Sequence, residues 1–231
     1  MPTPQQLIFD WASPVVPVFD NFLPGENAEV VAHLRRYVAG ELSSPSLLLW
    51  GAAGSGRTHL LQASVVAARA ERRSADLIAG DAIPIDAEAG ALYALDDVDH
   101  LPIDAQGRLF TFYNACRAAG AQLLLAAALP AARLALRDDL RTRIGAGLIL
   151  EVRSLADVDK PAALAAYARE QGFDLSVDVI GYLLTRGRRD MGALIANLRA
   201  LDHYSLTMKR PVTVPLLREL LLAPTSIEGR R

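Results

Sequence analysis

Between an apolar run of strand length, SLLLWG at residues 46–51, and a helical stretch at residues 58–73 lies the turn Gly51, Ala52, Ala53, Gly54, Ser55, Gly56, Arg57, Thr58. The turn matches G-x-x-x-x-G-K-[ST] at every fixed position except the lysine, and nothing else in the chain restricts its fold as strongly. The glycines let backbone N–H groups curl around phosphate oxygens, and the helix that follows points the positive end of its dipole at the same place. Strand, loop and helix in that order predict a nucleoside phosphate site on an α/β unit, with Thr58 offering its hydroxyl to Mg²⁺.

Further apolar runs at residues 75–80 (ADLIAG), 91–97 (ALYALDD), 121–127 (AQLLLAA) and 148–152 (LILEV) alternate with helical segments such as residues 105–119. That alternation specifies a parallel sheet covered on both faces. Ahead of it, residues 27–40 carry Val30, Val31, Leu34 and Val38 at helical spacing and end on a glycine, as a core-packing helix does. Past about Leu155 the pattern changes, and residues 156–170, 177–186, 191–207 and 214–222 read as helices with no strand pair among them. The expected organisation is an N-terminal arm at 1–24, an α/β nucleotide-binding domain at 25–154 and a small helical domain at 155–231. In the arm, Pro2, Pro4, Pro14, Pro17 and Pro24 forbid a continuous helix or central strand and imply extended chain.

Composition narrows the class. With 52% hydrophobic and 22% charged residues the chain can bury a full core. A net charge of −2 offers no global basic field, so strong direct DNA binding is not expected. The single cysteine, Cys116, excludes an intrachain disulfide and a cysteine-held zinc, suits a reducing compartment, and falls on the apolar side of its helix as an inert buried thiol. His33, His59, His100 and His203 are scattered without ligand spacing. The N-terminus lacks a basic segment before an apolar core, and no uninterrupted apolar run has the length of a membrane span, so a cytoplasmic protein with no membrane association is expected. Lysine occurs only at Lys160 and Lys209, an arginine bias that reads as the mark of a GC-rich coding genome.

That bias bears on Arg57, where a guanidinium keeps the positive charge but is broader and planar. Phosphate binding should survive, with altered geometry at the terminal phosphate. Asp96 and Asp97 close the apolar run LYAL, where a carboxylate at the carboxyl edge of the sheet meets Mg²⁺. Asp96 is the metal-side candidate together with Thr58, and Asp97 is placed to orient a water. Alone, such acids read as solvated turn residues; beside a phosphate loop they read as a site.

The loop with His59 after Thr58, the acidic pair at a strand end and the helical C-terminal segment resemble the AAA+ ATPases. FDNFLPGENAEVVAHL, WGAAGSGRTHLLQA, DLRTRIGAGLILEV and RRDMGALIANLRALDHYSLTMKRPVTVPLLRELL are similar to the ATPase module of the replication initiator DnaA. With arginine in the phosphate loop and a short N-terminal arm, the chain resembles the Hda family of DnaA-related regulatory inactivators over essentially its whole length. The resemblance implies a P-loop AAA+ domain, its parallel sheet covered by helices, followed by a small all-α lid domain. It implies ADP (or ATP) held by Gly51, Gly54, Ser55, Gly56, Arg57, Thr58, His59, Asp96 and Asp97, with Phe22 and Leu23 enclosing the adenine. Arg143, in DLRTRI, corresponds to an arginine finger that reaches the nucleotide of a neighbouring subunit; chemistry alone does not separate it from Arg137 or Arg141. Gln6, Leu7, Phe9 and Trp11 correspond to a peptide that docks on the DNA-loaded sliding clamp, the DNA polymerase III beta subunit. A glutamine followed by spaced large apolar residues suits a hydrophobic pocket; without the resemblance, Phe9 and Trp11 read as an arm folded on its own core.

Two departures from the family pattern weigh against self-catalysis. Ala126, Ala127 and Ala128 stand where AAA+ domains offer a polar sensor side chain, and Gly192 stands at the second sensor, with Arg188, Arg189 or Arg199 as possible replacements. The bridge ERRSADLIAGDAIPIDAEAG is also shorter than in relatives, as a trimmed sheet edge would be. The leading expectation is a bacterial regulator at the replication machinery, without autonomous activity, that stimulates ATP hydrolysis by DnaA and represses re-initiation. A homo-oligomer stays open. The competing reading is an AAA+ ATPase hydrolysing its own ATP as a replication helper or loader. A DNA-binding initiator is disfavoured because LLAPTSIEGRR follows the lid with no helix-turn-helix.

Overall fold

A computed structural model describes residues 16–186 and 191–222. Gln6, Leu7, Phe9, Trp11, Arg188 and Arg189 lie outside the described residues. Val16–Ala156 forms one compact unit, and the described residues from Asp157 onward belong to a second.

In the first unit, β1 (Ser46–Trp50), β2 (Ala75–Ile78), β3 (Leu92–Leu95), β4 (Gln122–Ala127) and β5 (Leu148–Glu151) form a sheet in the order β2-β3-β4-β1-β5. Every pairing is parallel. Helices α1 (Ala28–Val38), α2 (Arg57–Ala70), α3 (Ile103–Ala118) and α4 (Asp138–Gly145) belong to this unit. Because successive strand residues face opposite sides, Leu47 and Leu49 pack with Leu34, Leu60 and Leu61 of α1 and α2, while Leu48 packs with Leu109 and Phe112 of α3. Both faces of the three central strands are therefore apolar, which is why β1, β3 and β4 read as continuous hydrophobic runs.

Leu140 and Ile144, four residues apart, are the buried residues of α4, and Asp138 and Asp139 in its first turn suit the helix dipole. The sequence reading did not anticipate this helix, because an eight-residue segment gives the periodicity too few turns to show. Between β2 and β3 the crossover holds no helix; Ile83, 6% exposed, plugs it into the core, and the Glu88 N–H donates to the Tyr93 hydroxyl at 2.9 Å. On β2, Arg69 Nε donates to the Ala75 carbonyl at 2.7 Å, and Leu77 is left half-exposed.

At the described end of the arm, extended backbone at Val18 and Phe22 flanks a single turn. Residues Phe19–Asn21 form a 3₁₀ turn, Phe19 is buried, and Arg35 lies over its ring at 4.9 Å while pairing with Asp20. Burial of the Phe19 ring holds this turn against the unit. A few residues on, the buried Asn27 donates from Nδ2 to the Arg153 carbonyl and accepts the Arg153 N–H on Oδ1, both at 2.8 Å. The Arg153 guanidinium adds an ion pair to Glu26 at 2.7 Å.

Inside the sheet, Gln122 is buried, donates to the Tyr37 carbonyl at 2.6 Å and accepts from Arg73, which also donates to the carbonyls of Val38 and Gly90. The Tyr37 hydroxyl donates to the Leu123 carbonyl at 3.3 Å, and burial pushes its ionisation well above the usual tyrosine range. Burial likewise pushes the Cys116 thiol up to about 12. The folded thiol thus holds its proton where the unfolded thiol, near 9, loses it. Stability contributed by Cys116 is present below the unfolded value and falls as pH rises from about 9 toward 12. Native protein at pH 8 should not react with a thiol-specific disulfide reagent over an hour, whereas urea-unfolded protein should react fully within minutes.

The second unit contains α5 (Lys160–Glu170), α6 (Val177–Arg186), α7 (Met191–Met208) and α8 (Val214–Leu222). Its core joins Leu164, Val179, Leu183, Leu194, Leu198, Leu201, Leu216 and Leu217. Helix α5 starts four residues later than residue 156, since Pro161 sits in its first turn and fixes where it begins. The buried Lys160 donates to Asp157 at 2.6 Å.

Candidate nucleotide site and the arginine of helix α4

Parallel register aligns the strand ends. Trp50 lies opposite Ala127 of β4 and Glu151 of β5, and Leu95 lies opposite Leu125, so Gly51, Asp96, Ala128 and Val152 emerge at one edge of the sheet. Ligands of open parallel sheets bind at this carboxyl edge. Gly51 donates its N–H to the Ala127 carbonyl at 3.3 Å, and a Cβ there would fall 2.1 Å from the Val152 carbonyl oxygen, so no side chain fits. Gly54 follows in the turn, and Gly56 has φ +101°, a conformation that L side chains avoid, immediately before α2.

Around this loop the sequence candidates come together. The Thr58 hydroxyl donates to Asp96 Oδ2 at 2.5 Å, and Asp96 Oδ1 accepts the Asp97 N–H at 2.9 Å. Asp97 itself is held with φ 48° and ψ 44°, in the left-handed region. Its Oδ1 lies 4.0 Å from an Arg57 guanidinium nitrogen; Arg57 is 11% exposed and Asp97 61%. An ion pair that long and that wet contributes about 0–1 kcal/mol, so Asp97 does not satisfy the arginine. Arg57 Nη1 is buried without a hydrogen-bond partner, and so is Ser55 Oγ in the same loop. A buried polar group left unpaired costs about 1–3 kcal/mol. Two such groups beside a helix N-terminus fit phosphate oxygens, and the Thr58 and Asp96 oxygens are a hard donor set suited to Mg²⁺.

Phe22 and Leu23 lie differently from each other. The Phe22 ring touches the phosphate loop, its Cε2 only 2.6 Å from where a Cβ on Gly56 would stand, while Leu23 is 42% exposed. His59 makes contact with the segment that carries Phe22: its Nε2 is 3.0 Å from the Val18 carbonyl and its ring centroid 5.5 Å from that of Phe22.

At the end of β4, Ala126 and Ala127 are fully buried, and the Ala128 N–H is donated to Asp99 Oδ2 at 3.2 Å. Sequence reasoning missed Asp99, which sits two residues past Asp97 and ties the end of β4 to the turn after β3. His100 adds a 3.6 Å contact to the same carboxylate. In the second unit, Gly192 lies in the first turn of α7, and Arg199 donates to the Tyr167 hydroxyl at 2.8 Å.

The three arginines next to one another in sequence are distinguished by their partners. Arg137 pairs with Asp139 at 2.8 Å and Arg141 with Asp138 at 2.6 Å. Arg143 has no carboxylate partner among the described residues; its guanidinium lies 4.7 Å over the Phe110 ring and 5.8 Å from that of Tyr113. The Tyr113 hydroxyl donates to the Arg143 carbonyl at 3.3 Å. These residues, with Arg117, Asp138, Asp139, Thr142 and Ala146, line an open cavity of about 560 Å³.

Residues 157–221 match the family model described as the lid domain of Hda. Among solved structures, domain III of the replication initiation protein DnaA from Thermotoga maritima superposes with a TM-score of 0.79 at 18% identity, over 91% of this chain and 99% of that one. AMPPCP-bound DnaA from Aquifex aeolicus gives a TM-score of 0.66 at 21% identity, covering 84% of this chain and 67% of that one. A point mutant of Thermotoga maritima RuvB gives 0.68 at 15% identity, covering 91% of this chain and 72% of that one. At such identities the structural matches establish the fold, which is that of domain III of DnaA, and the family match makes residues 157–221 similar to the lid domain of Hda.

Proposed function

We propose that this chain is a nucleotide-holding regulator of replication initiation that presents Arg143 to ATP bound by DnaA. The observation that carries the reading is the state of Arg143, which rests on an aromatic face with no carboxylate beside it among the described residues, while its neighbours Arg137 and Arg141 are neutralised. A stack of that kind is worth about 0.5–1 kcal/mol at an exposed site. A hydrogen bond to a charged phosphate is worth about 1.5–3 kcal/mol, so the guanidinium can leave Phe110 for a partner's nucleotide. There it stabilises the negative charge that develops as the terminal phosphoryl group is transferred to water. The hydrolysed ATP is the partner's, and DnaA left with ADP starts fewer rounds of replication.

The chain's own nucleotide is ADP in this reading. Two phosphates satisfy the loop amides, Ser55 and Arg57, while Ala126, Ala127 and Ala128 present no side-chain donor for a third. Thr58 and Asp96 would hold Mg²⁺, which neutralises phosphate charge. Docking on the DNA-loaded clamp through Gln6, Leu7, Phe9 and Trp11 rests on the resemblance of the arm and concentrates the regulator near DnaA in the bacterial cytoplasm. Among the described residues no helix is long and apolar enough to cross a membrane.

The test is a single-round assay in which purified DnaA carrying labelled ATP is mixed with clamp-loaded DNA and this protein. Conversion of the bound ATP to ADP should accelerate with added protein; no acceleration at saturating protein would sink the proposal. The same Thr58 and Asp96 pair also permits a second reading, an ATPase acting on its own nucleotide. Sustained ATP turnover by the isolated chain would select that reading instead.

A further inference from the structure

The phosphate side of the loop accounts for Thr58, Ser55 and Arg57, but His59, in the first turn of α2, has contacts of another kind. A carbonyl oxygen only accepts, so the 3.0 Å contact to Val18 places a proton on His59 Nε2 and makes the ring the donor. The same ring lies tilted by 47° against Phe22. Phe22 in turn rests on the backbone of Gly56, with no room for a Cβ between them. The rest of the segment is braced locally: the Val18 N–H donates to Asn21 Oδ1 at 2.9 Å, Asn21 Nδ2 donates to the Val16 carbonyl at 3.0 Å, and Phe19 is buried below.

We infer that His59 is a positioning residue for the nucleotide: it pins residues 18–22 across the start of α2 so that Phe22 forms the base-side wall of the phosphate loop. This rests on the proposal that the loop holds a nucleotide. One side chain thus joins two halves of the site. The helix turn that receives phosphate and the segment that meets the base are fastened together at His59, which itself touches neither phosphate nor metal in this role. The consequence is a division of labour. Loss of His59 should weaken recognition of the base and ribose while leaving recognition of phosphate alone intact.

The experiment is calorimetric titration of wild type, His59→Ala and His59→Gln with ADP and, separately, with inorganic pyrophosphate. His59→Ala should weaken ADP binding about tenfold, the scale of one hydrogen bond and one ring contact, and change pyrophosphate affinity by less than about twofold. His59→Gln, whose side-chain amide can donate to the Val18 carbonyl, should recover part of the loss. Unaltered ADP affinity in His59→Ala, or an equal loss of ADP and pyrophosphate, would overturn the assignment; the equal loss would mark a general role in holding α2. A wild type that binds neither ligand would instead remove the nucleotide reading itself, and this inference with it.

Discussion

Replacing Arg143 with alanine should cut the acceleration of DnaA-bound ATP hydrolysis about a thousandfold while leaving ADP binding by this chain unchanged. An arginine delivered to a phosphoryl-transfer transition state accounts for roughly 10³ to 10⁵ in rate, and the lower figure is apt where the other charges of the site remain. Arg143 is half-buried on α4 and lies over Phe110, so its removal takes away a cation and no packed core residue. The controls are built into the same stretch. Arg137→Ala and Arg141→Ala remove guanidinium groups already paired with Asp139 and Asp138, and each should change the rate by less than about threefold, as exposed ion pairs are worth little. Arg143→Lys should restore only a small part of the activity, because an ammonium lacks the planar fork that grips two phosphate oxygens at once. The single-round assay reads all four variants. Equal losses from Arg137→Ala and Arg143→Ala would show that the surface as a whole, and not one guanidinium, is responsible.

Phe112→Ala should lower the stability of the α/β unit by about 3–5 kcal/mol, the usual effect of emptying an aromatic site in a packed core. Phe112 is fully buried, meets Tyr93 edge-to-face at 4.9 Å, and sits among Leu109, Leu123 and Leu125 between α3 and the sheet. Helix α3 also carries Phe110 and Tyr113, the rings on which Arg143 rests. The variant should therefore unfold at lower urea concentration and also lose stimulation of DnaA at temperatures where wild type is fully active. Urea unfolding followed by circular dichroism and by tryptophan fluorescence measures the first effect. A midpoint within error of wild type would mean that the α3 interface relaxes around the gap.

Much of the α/β unit was legible in the sequence because its signals are local and strong. The three central strands β1, β3 and β4 are apolar runs that begin close after a glycine or proline, and Asp96 stands at the strand end where the pattern put it. What was hidden depends on contacts between residues far apart in sequence. Asn27 and Arg153 pair across 126 positions, and neither has a neighbour that announces the other. Asp99 looked like one more acid in DDVDH, and only the return of β4 makes it the acceptor for Ala128. Arg137, Arg141 and Arg143 share one chemistry in the sequence; the carboxylates at Asp138 and Asp139 sort them once α4 has formed. His59 follows Thr58 in the loop pattern, and its contact with Val18 exists only once the 16–22 segment has folded.

The reciprocal bonds between Asn27 and Arg153, with the Glu26 ion pair beside them, fasten the segment just ahead of α1 to the chain just past β5. Tension applied at those two points meets this clasp before it meets the sheet: it would be spent first on two hydrogen bonds and a surface ion pair, while the strand ends that shape the phosphate loop stay in register.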